Sequence, residues 1–374
     1  MPHGFICHSA SYENIVARNG IACKNKRAQK YLDTKGDLPY TQIMHNKTID
    51  AAALGELLID FTQNGFSAEG NWLMEANPGG APSNVLAMLK KLNHSVSFIG
   101  KVGDDIFGRL LKTVLNDLGI GTESLIVSNE FNTTLAFVHT KQDGDRDFSF
   151  YRKSGADTQL TEKEVDIRIL QNAKIFHFGS VSMTTEPAAS ATEYALSCAK
   201  KHGALCSFDP NLRVPLWDNL AHAKERIKYG LSQCDILKIA EEELEFVTGC
   251  TDIEKGVRAL RSNYRIPLIG VTCGKKGSSL FYADEHCTDG LGISAKEPTF
   301  EKVKTVDTTG AGDTFSACIL HDVLQNGFTG FTHERLRAML LFANAAASLV
   351  TTKRGALKVM PSEAEIRELI QKGL

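Results

Sequence analysis

From Ile49 to the C-terminus, short apolar runs of strand length alternate with longer segments whose apolar residues recur every three or four positions. This alternation restricts the fold more than any other feature of the chain. Residues 51–60, 174–178, 204–209, 235–239 and 267–272 read as core strands, the first ending in the acid Asp60. Between them, 105–118 places Phe107, Leu110, Leu111, Val114 and Leu118 on one helical stripe closed by Gly119. Thr161 with Glu164 makes a capping box that predicts a further helix, and 241–247 reads as another. Strand and helix in alternation predict an α/β fold: a mostly parallel central sheet covered by helices on both faces, with ligands at the carboxyl ends of the strands. Asp60, Asp209 and Thr272 fall at such ends.

Two segments break the rhythm. Residues 133–139 and 147–152 read as strands joined through Asp143-Gly144, a strong hairpin signal. With the residues around 66–75 they predict a small antiparallel sheet, drawn from about 62–76 and 132–152. Such a sheet can serve as a lid over a site and, on its uncovered face, as a dimer surface, or it can be a surface hairpin with no gating role. The first 48 residues are polar, lack sustained periodicity and carry scattered Lys24, Lys26, Arg27, Lys30 and Lys35. They are expected to be an appendage to a domain spanning 49–374: a disordered extension, or sequence upstream of the natural start, while Glu13, Asp33 and Asp37 weaken a targeting reading.

Charge narrows the class of ligand. The chain has 42 basic and 44 acidic residues among 374, and no basic tract stands out, so neither nucleic acid nor an acidic membrane surface is favoured as a partner. Nine cysteines occur without a C-x-x-C pair, several within apolar runs such as Ala204-Leu205-Cys206-Ser207-Phe208. They read as buried reduced thiols and point to a cytoplasmic protein with a small-molecule substrate.

Three glycine clusters carry the candidate chemistry. In Asp307-Thr308-Thr309-Gly310-Ala311-Gly312-Asp313-Thr314-Phe315, the glycines let backbone approach an anion. The periodicity of Phe315, Ile319, Val323 and Leu324 predicts a helix whose N-terminal N–H groups would gather there. Asp313, in the first turn of that helix, would be a carboxylate beside a bound phosphate, able to take a hydroxyl proton. An ordinary Gly-rich turn with a first-turn acid fits the same run. The cluster Asn77-Pro78-Gly79-Gly80-Ala81-Pro82-Ser83-Asn84 precedes a second helical stripe, and Asn84 and Asp60 offer polar groups of the kind a polyol needs, or a plain turn and cap. The third, Thr272-Cys273-Gly274-Lys275-Lys276-Gly277-Ser278, fails the P-loop spacing: Gly270 precedes Gly274-Lys275 by too few residues, and Lys276 stands where Ser or Thr is required. A hairpin turn lining a nucleotide, or a simple turn, fits it better.

The second and first of these clusters, in that order, resemble the two signature regions of the ribokinase-like sugar kinases of the PfkB family, and within it the fructokinases. Further phrases carry the likeness: Gly55-Glu56-Leu57-Leu58-Ile59-Asp60-Phe61, Phe208-Asp209-Pro210-Asn211-Leu212-Arg213 with Leu216-Trp217, and Glu241-Glu242-Glu243-Leu244-Glu245-Phe246. The resemblance implies a three-layer αβα fold with a β lid, and transfer of the ATP γ-phosphoryl group to the 6-hydroxyl of D-fructose with Mg²⁺. It also implies that Asp313 is the general base, that Gly310, Ala311 and Gly312 form the anion hole, and that Asp60, Gly79, Gly80 and Asn84 contact sugar. Arg213 would point to substrate or phosphates, or form a surface salt bridge, and Arg152 in the lid would bear on acceptor choice with Phe137 and Phe150. Thr272, Gly274, Gly277 and Asn344 would form the adenine side, although Asn344 also reads as an ordinary polar helix residue. A monovalent cation, expected to be K⁺, would lie against Asp307, Thr309 and backbone near Val350, Lys353 and Gly355. Independently of the resemblance, the uncovered face of the small sheet points to a homodimer through the lid. One departure stands out: the family's Asn-x-x-Glu motif, which helps position Mg²⁺ and phosphate, is here Ala240-Glu241-Glu242-Glu243. The same resemblance admits other acceptors (2-keto-3-deoxygluconate, ribose, a nucleoside) or a fructokinase-like binding protein without turnover.

Overall fold

A computed structural model describes residues 47–140, 146–300 and 302–373. All but the last two residues of the expected appendage, and the Asp143-Gly144 turn, lie outside the described residues. Among the described residues, a nine-stranded sheet runs in the order β13-β12-β11-β10-β9-β8-β1-β4-β5. Its strands are β1 (Ile49–Leu54), β4 (Val96–Gly103), β5 (Gly121–Ser128), β8 (Ala173–Gly179), β9 (Leu205–Asp209), β10 (Ile236–Ala240), β11 (Leu268–Thr272), β12 (Ser278–Tyr282) and β13 (Ile293–Glu297). From β5 across to β11 every pairing is parallel, and β12 and β13 close the edge as antiparallel strands. Every residue of β4 and β9 is buried, so both faces of the sheet are covered, as parallel sheets require. Phe178 marks the centre of that packing, its ring 6.0 Å from Phe176 and 4.8 Å from Phe208.

The covering helices are α1 (Ala81–Lys91), α2 (Ile106–Asp117), α3 (Ile167–Asn172), α4 (Ala188–Lys201), α5 (Leu220–Gln233), α6 (Glu241–Thr248), α7 (Ile253–Asn263), α8 (Ala311–Asn326), α9 (His333–Val350) and α10 (Glu363–Lys372). The predicted 105–118 helix is α2, with Asp105 accepting the N–H groups of Phe107 and Gly108 as N-cap. Its buried stripe uses Leu111, Val114 and Leu115, while Leu110 faces outward. The capping box at Thr161 is present but opens only a 3-10 turn, Glu162–Glu164; the α-helix begins afterwards, with Asp166 as its cap.

The expected single strand over 51–60 is two strands. β1 stops at Leu54, the chain turns through Gly55, Glu56 and Leu57, and β2 (Leu58–Phe66) enters a second sheet with β3 (Trp72–Gly79), β6 (Leu135–Thr140) and β7 (Arg146–Tyr151), in the order β3-β2-β6-β7. Asp60 therefore lies on the small sheet and not at the carboxyl end of a central strand. That sheet is also mixed: β2 pairs antiparallel with β3, and β6 with β7, but β2 and β6 run parallel because β6 arrives from the main sheet and not from a hairpin with β2. Register places Asn77, Asp60, Ala136 and Phe150 on one face and Phe61 and Phe137 on the other. On that second face Phe61 stacks on Phe137 at 5.0 Å, and Tyr151 meets Phe137 edge-on at 5.2 Å.

Candidate active site

β3 ends at Gly79 and α1 begins at Ala81, so Gly80 makes the corner at φ 130, where a side chain would also run into the Glu56 carbonyl. Behind this corner the buried carboxyl of Glu56 accepts the Ala81 N–H at 2.9 Å. Burial raises the Glu56 carboxyl to about 7 against the opposing pull of these backbone bonds and of Arg152. The corner fixes α1 so that Asn84, one turn in, faces α8. The start of α8 is made by Gly310 at φ 79, packed so tightly on Ala356 that a methyl there would lie 2.5 Å from its Cβ. No side chain caps α8; the Ala311 N–H donates to the Thr308 carbonyl at 3.3 Å.

The two glycine clusters meet through one hydrogen bond. Asn84 Nδ2 donates to Asp313 Oδ2 at 2.8 Å, both residues buried, while Asn84 Oδ1 is buried without a protein partner. Burial pushes the Asp313 carboxyl up to about 6; the Asn84 bond opposes this, nearby Asp209 adds to it, and Lys238 and Arg213 oppose it. Asp60 is pushed up to about 7, first by burial and then by Asp307 and Asp313, against Arg213. Arg213 is exposed, and among the described residues no carboxylate pairs with it, so the alternative of a surface salt bridge finds no support. The loop that carries Arg213 is held by Asp209, which accepts the Asn211 N–H at 3.1 Å, and by Glu243, whose Oε1 accepts the Leu212 N–H at 2.7 Å. Glu243 Oε2 accepts the Ala240 N–H at 2.9 Å, so both oxygens of the acid in the altered motif bind backbone.

On the opposite flank, Thr272 ends β11, and residues 273–277 form the tight turn into β12, as expected for a hairpin. Gly274 and Gly277 both have positive φ there. Asn344 stands behind this turn and not on its surface: Oδ1 accepts from Ser278 Oγ at 2.7 Å, and Nδ2 donates to the Glu297 and Pro298 carbonyls at 3.2 and 3.1 Å. Arg152 likewise looks away from the lid face. It is buried, pairs with Asp157 at 2.7 Å, and donates to Thr184 Oγ1 and the Val181 carbonyl, which makes it the anchor of the lid's foot.

The residues expected around a monovalent cation are drawn together. Asp307 Oδ1 accepts from Thr309 N–H and Oγ1 at 2.9 and 2.7 Å, Oδ2 accepts the Gly355 N–H at 3.1 Å, and the Thr351 carbonyl accepts the N–H groups of Val306 and Asp307. Val350 and Lys353 lie in the same second segment, where the Lys353 N–H donates to the Val350 carbonyl at 3.4 Å. Among the described residues, no three His, Cys, Asp or Glu side chains converge as a metal-ligating cluster, and no helix is long and apolar enough to cross a membrane.

Sequence reasoning missed Lys238. Its ammonium lies 3.1 Å from Asp209, under the start of α8. The available signal was a lone charge inside the otherwise apolar strand Ile236–Ala240.

Known proteins resemble this chain over most of its length. The sequence profile of the family described as pfkB family carbohydrate kinase matches residues 49–363. The chain belongs to that family. It is thus a carbohydrate kinase, a phosphotransferase with an alcohol group as acceptor. It is 39% identical over 323 residues to Fructokinase-1 of Zea mays, covering 86% of this chain and 97% of that one. It is 38% identical to Fructokinase-2 of Solanum lycopersicum, covering 86% and 96%. Among solved structures, the Xylella fastidiosa fructokinase with bound ATP superposes with a TM-score of 0.75 at 30% identity, covering 86% of this chain and 98% of that one. A Vibrio cholerae fructokinase double mutant in fructose, ADP and potassium ion bound form gives 0.74 at 27%, covering 87% and 99%.

Proposed function

We propose that this kinase transfers the γ-phosphoryl group of ATP to the 6-hydroxyl of D-fructose, giving fructose 6-phosphate and ADP. The observation that carries the reading is the Asn84–Asp313 bond, which sets a carboxylate at the mouth of an uncapped helix and joins the two glycine clusters. Asp313 takes the hydroxyl proton as the sugar oxygen attacks phosphorus and the bond to ADP breaks. A base near pH 6 is suited to that task at neutral pH. The N–H groups of 310–312 stabilise the charge on the equatorial phosphoryl oxygens. Asp60, Gly79, Gly80 and the free Asn84 Oδ1 hold the sugar, and Arg213 spans sugar and phosphate. Thr272, Gly274 and Gly277 border the adenine, with Asn344 as support. Mg²⁺ bound with the nucleotide would supply charge neutralisation on the phosphates, and Glu243 orders the loop that carries Arg213. K⁺ at Asp307, Thr309, Val350, Lys353 and Gly355 would steady the segment leading into the anion hole. The exposed Phe66, Trp72 and Tyr151 of the lid suit a homodimer through that sheet.

The test is ADP release by the purified protein over a panel of D-fructose, D-glucose, ribose, 2-keto-3-deoxygluconate and adenosine, with and without K⁺. Fructose is expected to give the highest kcat/KM, with K⁺ raising the rate. Preference for another acceptor would replace the substrate, and ATP binding without turnover on any acceptor would replace the enzyme by a binding protein.

A further inference from the structure

Lys238 is the third residue of the five in β10, and its neighbours Ile236, Leu237, Ile239 and Ala240 are apolar. Its ammonium lies 3.2 and 3.1 Å from the two Asp209 carboxylate oxygens, with both side chains largely buried. A methyl group placed on Gly312 would sit only 3.0 Å from Nζ, so the ammonium lies directly against the backbone of the anion loop. A buried ion pair is poor value as packing, because desolvation offsets most of its attraction and apolar residues of similar size fill the same space as well. A charge kept at this place needs a reason tied to the place.

We propose that Lys238 is a positioning residue of the phosphoryl-transfer site: anchored by Asp209, it keeps a fixed positive charge beneath the 310–312 loop and beside Asp313. The inference deepens the proposed reaction and rests on it for the catalytic consequence, but the electrostatic coupling stands on its own. The groups facing the ammonium are Asp209 on β9, Glu243 on α6, Asp313 on α8 and His177 on β8. Burial pulls the ammonium down, and Asp209, Glu243 and Asp313 outweigh it, so the pKa is raised and the charge persists. His177, held neutral by burial at about 3, adds no competing charge. The groups facing Asp313 are Asn84, Asp209, Lys238, Arg213 and, from the small sheet, Asp60. Asp209 and Lys238 push the Asp313 carboxyl in opposite directions, and this gives the test its sign.

The experiment is a direct titration of the Asp313 carboxyl by carbon-detected NMR on the full chain, assigned by its loss in Asp313→Asn. It is run on wild type, Lys238→Met, Lys238→Arg and Asp209→Asn, alongside the acid limb of kcat/KM. Lys238→Met should raise the Asp313 midpoint by at least about half a pH unit and Asp209→Asn should lower it by a similar amount. Lys238→Arg should keep it. With turnover measured, Lys238→Met should lose about 10- to 100-fold in kcat, with a smaller change in KM for ATP. Unmoved midpoints in folded Lys238→Met and Asp209→Asn would make the pair structural only and overturn the proposal. Should Lys238→Met not fold, the direction in Asp209→Asn still decides. Wild-type protein inactive on fructose would refute the proposed reaction while leaving the titration readable.

Discussion

The two halves of the site are built on different foundations. Asp313, Asn84 and Lys238 sit on α8, α1 and β10, elements of the main body, and each is buried or nearly so. Asp60 sits on β2, a strand of the small sheet, and its carboxyl feels the charge of the exposed Arg213. The small sheet is held at its foot by the buried Arg152–Asp157 pair and by Asp105, which caps α2 and also accepts the Thr133 N–H at 2.7 Å. Farther out, Phe61 meets Phe107 of α2 edge-on at 5.5 Å, and the exposed Arg354 is bonded to Asn64 at 2.7 Å. On the proposed reaction, the chemistry belongs to the main body and acceptor recognition to the small sheet.

Each half can be broken separately. Asp313→Asn should lose about 10²- to 10⁴-fold in kcat while nucleotide binding survives, as removal of a general base does; near-normal turnover would show that the body half does not hold the chemistry. The same variant should be more stable than wild type near neutral pH. The folded carboxyl at about 6 lies above its unfolded value of 3.8, so the fold penalises the charged form. That penalty is complete above about pH 6 and vanishes below about pH 4, amounting to at most about 3 kcal/mol. Melting curves at pH 7.5 and 4 should show the gain at the first and not at the second.

Arg152→Met strands Asp157 as a buried unpaired carboxylate and should cost about 3–5 kcal/mol of stability. A denaturant titration checks it, and a rise in sugar KM with unchanged stability would return Arg152 to the acceptor surface. Asp60→Asn should raise KM for the sugar by about tenfold, the loss of a hydrogen bond to a charged group, with little change for ATP. The subtlest separation is in pH. KM for the sugar should rise as pH falls through about 7, where Asp60 takes a proton, and kcat/KM for ATP should fall through about 6, where Asp313 does. A single shared midpoint would show the two carboxyls titrating as one unit.

What could be read from the sequence follows the range of the forces involved. The alternation of strands and helices, and both glycine corners, rest on local backbone demands, so the fold class and the positions of Gly80, Gly310 and Asp313 were legible. The strand over 51–60 reads as one because the apolar run resumes at Leu57-Leu58-Ile59 after only Gly55-Glu56, and nothing local says that the chain changes sheets there. Asn344 and Arg152 look like surface-capable polar residues in sequence, and only long-range packing turns them inward onto Ser278 and Asp157. Lys238 was missed for the same reason: its partner Asp209 and the Gly312 backbone come from distant parts of the chain.

In the proposed reaction the body half delivers phosphate to one particular oxygen held by the lid half. The most direct measurement is the position of the phosphate in the product made from D-fructose and ATP, read by phosphorus NMR. Fructose 6-phosphate is expected as the sole product of the wild-type protein. Phosphate on another oxygen, or no phosphorylated fructose while a different acceptor reacts, would contradict it.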